Sequence, residues 1–154
     1  MTQISKPSNQ EPDYRRCKDC ADFNLRKAMR AVSQLYDEML RPIGIRGTQY
    51  SLLVAVQISG SITVTKLAEH TVMDRTTLTR NLGVLDKQGL VAVTAGDDRR
   101  TRIVTITKDG LSTLHKAYPL WERAQAKIKE AMSEDSLQTL MEGLSVLVDA
   151  SQAR

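Results

Sequence analysis

At Gly89 the spacing of apolar residues changes from helical to alternating, and that change limits what this chain can fold into. Leu78, Leu82 and Leu85 recur at i, i+4 and i+7 before it, which puts them on one face of a helix from Arg75 to Gln88. After it, residues 90–94 and 102–107 are rich in Val, Ile and Thr and read as two strands. Between the strands lies Gly96-Asp97-Asp98-Arg99-Arg100-Thr101, a turn with a basic tip. A helix followed by a hairpin with a cationic end is the order of a winged helix-turn-helix, in which one helix enters the major groove and the hairpin straddles the adjacent backbone.

The flanking segments are helical. Leu25, Ala28, Met29, Val32, Leu35, Tyr36 and Met39 recur at three and four, giving a long first helix from Ala21 to Arg41 that Pro42 and Gly44 end. A second helix is expected to start at a Thr48 cap and stop at Gly60. A short third one carries Val64, Leu67 and Ala68 and ends near His70. Asp74 caps the groove-facing helix, Thr107 a fifth helix and Ser133 a sixth, whose Leu137, Leu140, Met141, Leu144, Leu147 and Val148 form the cleanest apolar stripe in the chain.

The residue types suit duplex DNA. A helix entering the major groove needs short hydroxyls and Arg near its N-terminus, where Arg can pair bidentately with guanine. Arg75, Thr76, Thr77, Thr79 and Arg80 supply that surface. Arg99, Arg100 and Arg102 on the hairpin are placed to neutralise phosphates or enter the minor groove. Asp98 is read as the partner that orients one of these arginines through paired hydrogen bonds. Taken singly, a Thr-rich helix is also a solvated surface and an Asp-Asp-Arg-Arg turn a polar hairpin; the order and spacing together carry the reading. The net charge of +4 agrees with a polyanionic partner and alone decides nothing.

Val64-Thr-Lys-Leu-Ala-Glu69, Asp74-Arg-Thr-Thr-Leu-Thr-Arg80, Leu85-Asp-Lys-Gln-Gly-Leu90, Asp97-Asp-Arg-Arg-Thr-Arg102 and Ile106-Thr-Lys-Asp-Gly110 together resemble the MarR family of bacterial regulators. The resemblance implies a mainly α fold with a small β-hairpin wing: a winged helix-turn-helix lobe at 47–107 and dimerisation helices at 15–46 and 108–154; the polar N-terminus, broken by Pro7 and Pro12, reads as a flexible arm at 1–14. It implies a homodimer on a palindromic double-stranded DNA operator, acting as a repressor, released by a small phenolic or aromatic effector or by cysteine oxidation. The dimer also has support in the first and sixth helices, whose apolar stripes exceed what one small lobe can cover.

Two sensing sites are candidates. Cys17-Lys-Asp-Cys20 reads as a reversible disulfide, as half of a metal site or as two silent thiols. Arg26, Tyr36, Tyr50, Tyr118 and Trp121 are candidates for an effector pocket, although buried aromatics more often serve the core. No metal site and no cofactor are expected.

Other classes fare worse. Thioredoxin-like chemistry expects C-x-x-C after a strand in an alternating strand and helix pattern, which is absent, and there is no Gly-rich phosphate loop, serine nucleophile motif or histidine cluster. An enzyme is therefore not expected. A winged-helix module that binds only protein predicts an acidic or apolar recognition face, opposite to Arg75 and Arg80. No run approaches the roughly 18 apolar residues of a membrane span, and the polar segment before Asp13 lacks a signal-peptide core, so a cytoplasmic location is expected.

Overall fold

The computed structural model describes residues 12–98 and 100–153, so most of the arm expected at 1–14 and the wing residue Arg99 lie outside the described residues. The chain divides after Val32 into two compact units, each considered by itself.

The first unit opens with a 3₁₀ turn, Tyr14–Asp19, whose cap Asp13 accepts from the Arg15 amide. Helix α1 (Ala21–Leu40) begins after Cys20. Its apolar residues in this unit stay outside: Phe23, Leu25, Met29 and Val32 are all exposed.

The second unit begins with the last turns of α1, which lead into a 3₁₀ turn, Arg41–Ile43, closed by Gly44 in the left-handed region at φ 76°. Then come α2 (Gly47–Ser59), β1 (Ser61–Thr63), α3 (Val64–Thr71), α4 (Arg75–Lys87), β2 (Val91–Ala95), β3 (Arg102–Ile106), α5 (Lys108–Ala131) and α6 (Glu134–Gln152). Leu52, Leu53, Leu67, Leu78, Leu85, Val91 and Val104 bring α2, α3, α4 and the sheet into one core and are almost wholly buried. Each such side chain contributes roughly 1.5–3 kcal/mol relative to exposure.

Three local features differ from expectation. The sheet has three strands in the order β1-β3-β2, all antiparallel, with Ile62 opposite Val104 and Val93 opposite Val104 on its other side. β1 escapes sequence reading because three residues are too few for their alternation to mark a strand. Thr48 does not cap α2: the helix starts one residue earlier, the Asp37 carboxylate accepts from the Gly47 amide at 2.7 Å, and Gln49 Oε1 accepts from the Arg46 amide at 2.9 Å. The capping oxygen thus comes from a residue ten positions away. Finally, α3 ends on Val72 at φ 52°, a left-handed conformation that costs a β-branched residue roughly 1–2 kcal/mol. The Met73 amide, donating to Ala68 O at 3.0 Å, closes that turn and sets the entry to α4.

Candidate nucleic-acid interface

The start of α4 is built by Asp74. Its carboxylate accepts from the Thr77 amide at 2.9 Å and from the Thr77 hydroxyl at 2.6 Å. Hydrogen bonds from the Thr77 hydroxyl first, and its amide second, hold the Asp74 carboxyl below its usual pKa. Leu78, Leu82 and Leu85 anchor the opposite face in the core, so Arg75, Thr76, Thr79 and Arg80 are left exposed together on one helix whose N-terminal dipole favours anions. Thr77 is exposed too, but its hydroxyl hydrogen is committed to Asp74; no hydrogen bond among the described residues holds the hydroxyls of Thr76 and Thr79.

Between this helix and the wing runs a cleft of about 650 Å³. Four cationic side chains line it, Lys66 from α3, Arg75 from α4, and Arg100 and Arg102 from the wing, against two acidic ones, Glu69 and Asp86. The structure therefore brings Arg75, Thr79, Arg100 and Arg102 to one concavity. Sequence reasoning does not single out Lys66; its signal is positional, an exposed cation one residue before the buried Leu67 in the first turn of α3.

The wing tip is held through its backbone. Asp98 Oδ1 accepts from the Arg100 backbone amide at 3.0 Å, and Asp98 O accepts from the Thr101 amide at 2.8 Å. Among the described residues the ion pairs are Arg15–Asp13 and Arg26–Asp22, so Asp98 locks neither Arg100 nor Arg102, and the expected pairing with Arg99 lies outside the described residues. A short Asp side chain meets the amide two residues on more readily than an extended guanidinium. Asp98 thus shapes the turn through backbone, and the two arginines extend from it unpaired with carboxylate.

The sensing candidates fall in separate places. In the first unit, Cys17 and Cys20 are both exposed, and the Cys20 amide donates to Cys17 O at 3.2 Å within one turn. Arg26 is in that unit as well, exposed and paired with Asp22 at 2.9 Å, a contact that raises its pKa. In the second unit, Tyr50 stacks on Trp121 at 6.3 Å between ring centroids and Tyr118 lies tilted against Trp121 at 5.5 Å. The Tyr36 hydroxyl donates to Gln125. Burial pushes the phenol pKa of Tyr36 and Tyr50 up, with Tyr118 and Glu122 adding to the effect on Tyr50. No group of three His, Cys, Asp or Glu able to hold a metal occurs among the described residues, and no helix among them is long and apolar enough to cross a membrane.

Comparison with known proteins places this geometry. A Mycobacterium tuberculosis transcriptional regulator, MosR, solved in complex with DNA, is 35% identical and superposes with a TM-score of 0.78 over 88% of this chain and 100% of its own. The transcriptional activatory protein BadR of Rhodopseudomonas palustris is 30% identical over 131 residues, 75% of this chain and 71% of its own. The HTH-type transcriptional regulator YwoH of Bacillus subtilis is 26% identical over 85 residues, 55% of this chain and 62% of its own, so the chain spans just under two thirds of that relative. The family model described as MarR family matches residues 43–101, from the turn after α1 to the wing tip. On the fold, these relatives and that match, the chain belongs to the MarR family of transcriptional regulators.

Proposed function

We propose that this protein is a homodimer that binds a palindromic DNA operator, represses by occupying it, and is released by an aromatic effector or by oxidation of its cysteines. The observation that carries the proposal is the cleft beside α4, where cations from α3, α4 and the wing converge next to unengaged Thr and Arg side chains. A duplex offers phosphates to the first set and base edges to the second. Arg99 belongs to the same basic tip by sequence.

The dimer is supported by apolar faces that each unit leaves exposed: Phe23 and Met29 on α1 in one, Met141 and Val146 on α6 in the other. A two-fold axis then sets two α4 helices about 34 Å apart on successive major grooves. Release by oxidation is supported by the Cys17–Cys20 turn, because residues i and i+3 of a tight turn lie within the Cα separation a disulfide spans. An aromatic effector finds complementary surfaces in the Tyr50, Tyr118 and Trp121 group.

The test is duplex binding measured by fluorescence anisotropy across a salt series, using DNA that the protein selects from a random pool. The logarithm of the affinity is expected to fall linearly with the logarithm of salt. Arg80→Ala should flatten base preference at its contact by about 1–3 kcal/mol, whereas Arg100→Ala should weaken binding to all sequences alike. Absence of duplex binding, or binding indifferent to salt, defeats the proposal.

A further inference from the structure

Two of the five segments that carry the family resemblance, Leu85–Leu90 and Ile106–Gly110, contribute only Asp86 to the DNA-facing cleft. The structure gives them one joint task. Gly89, at φ 72°, turns the chain out of α4, with its amide on Asp86 O and the Leu90 amide on Leu85 O, both at 2.9 Å. These two residues are thereby tied to the last turn of α4.

Thr107 closes on them from the other side. Its amide donates to Leu90 O at 3.2 Å and its hydroxyl donates to Gly89 O at 2.6 Å. Thr107 Oγ1 in turn accepts from the Gly110 amide at 3.0 Å, capping α5. Gly110 is buried, and a Cβ there would stand 1.9 Å from Leu90 O and 2.8 Å from Ile106 Cγ1, so α5 sits on this carbonyl with no room for a side chain. A helix cap alone needs none of this. The Asp74 carboxylate and the Ser133 hydroxyl bond only within the first turns of their own helices, while the Thr107 hydroxyl also reaches across to the exit of α4.

We infer that Thr107 and Gly110 are positioning residues that fix the angle of α4 against α5 and so determine which half-site spacing the protein accepts. The inference rests on the proposed dimer: α5 leads from the DNA-binding lobe to the helices that join the copies, so play at this joint becomes play between the two recognition helices. One added base pair moves a half-site by about 3.4 Å and about 34° around the duplex. A rigid joint rejects that change and a loose one tolerates it.

The experiment measures affinities for inverted-repeat duplexes built on the half-site that the wild-type protein selects from a random pool, with the spacer lengthened or shortened by one base pair. Wild type and Thr107→Ser, which keeps both hydroxyl bonds, are expected to lose about tenfold or more in affinity at the altered spacers. Thr107→Val, similar in shape but without either bond, is expected to lose less than about threefold, or to shift its optimum. Gly110→Ala, checked for folding by circular dichroism, is expected to shift the optimum because its Cβ drives α5 off Leu90. Equal weakening of Thr107→Val at every spacer reduces Thr107 to a cap and overturns the inference, as does a wild type indifferent to spacing. A wild type that binds no duplex strikes instead at the proposed function.

Discussion

Helices α4 and α6 are built alike and end differently. Each has a polar cap residue bonded to an amide of its first turn and an apolar stripe at helical spacing. In α4 the stripe is answered within the chain, with Leu78, Leu82 and Leu85 at 0%, 2% and 0% exposure. In α6 only Leu137 is buried, while Leu140, Met141, Leu147 and Val148 remain 41–49% exposed. An amphipathic pattern therefore reports that a face will be buried without reporting in what. Helix α4 is held by its own lobe, whereas α6 presents the face that the proposed second copy would cover.

The largest effect expected from this contrast is on stability. Leu85→Ala should cost about 2–5 kcal/mol in urea unfolding, because it opens a cavity in a core that the lobe alone supplies. Leu147→Glu should leave the lobe folded and instead halve the mass measured by sedimentation, with loss of tight binding to a palindromic duplex. If Leu147→Glu unfolds the chain as thoroughly as Leu85→Ala does, the two stripes are not different in kind.

A smaller effect tests whether the α3–α4 frame is at ease with itself. Val72 holds a left-handed conformation at φ 52° and is exposed, so little packing offsets its strain. Val72→Gly should stabilise by about 0.5–1 kcal/mol, the relieved strain exceeding the extra freedom glycine gives the unfolded chain. A lower urea midpoint would mean that contacts of this valine outweigh its backbone cost.

The same contrast explains which features could be read from the residues. Helix α4, the β2–β3 hairpin and the caps Asp74, Thr107 and Ser133 depend on neighbours within a few positions, and spacing alone exposes them. The α2 start is not legible because its oxygen comes from Asp37 on the preceding helix. β1 is not legible because its pairing with β3 joins residues about forty apart. In the candidate site, Arg75, Thr79, Arg100 and Arg102 could be named from type and order, while Lys66 joined them only once α3 was placed against the wing. For Asp98 the sequence indicates the neighbourhood, and the structure adds that its carboxylate accepts from the Arg100 amide, since sequence does not say whether a carboxylate also meets backbone.

The smallest effect separates the two caps by chemistry. Asp74 titrates and Ser133 does not, so only the start of α4 should respond to acid through its cap. The folded-state pKa of Asp74 is lowered, chiefly by the Thr77 hydroxyl and then by the Thr77 amide. Its contribution is therefore complete above the unfolded carboxyl value of about 3.9 and disappears as pH falls from there through the lower folded value. The side chain is exposed, so solvent keeps the effect small, on the order of a degree or two in melting temperature. Melting curves at pH 7 and pH 3 should show Asp74→Asn, which keeps a capping oxygen without a charge, losing slightly less stability in acid than wild type. Ser133→Asp should lose slightly more, because it gives α6 the acid-sensitive cap that α4 already has. Identical acid losses in all three proteins would mean that the hydrogen bonds of Thr77 to Asp74 do not favour the ionised carboxylate in solution.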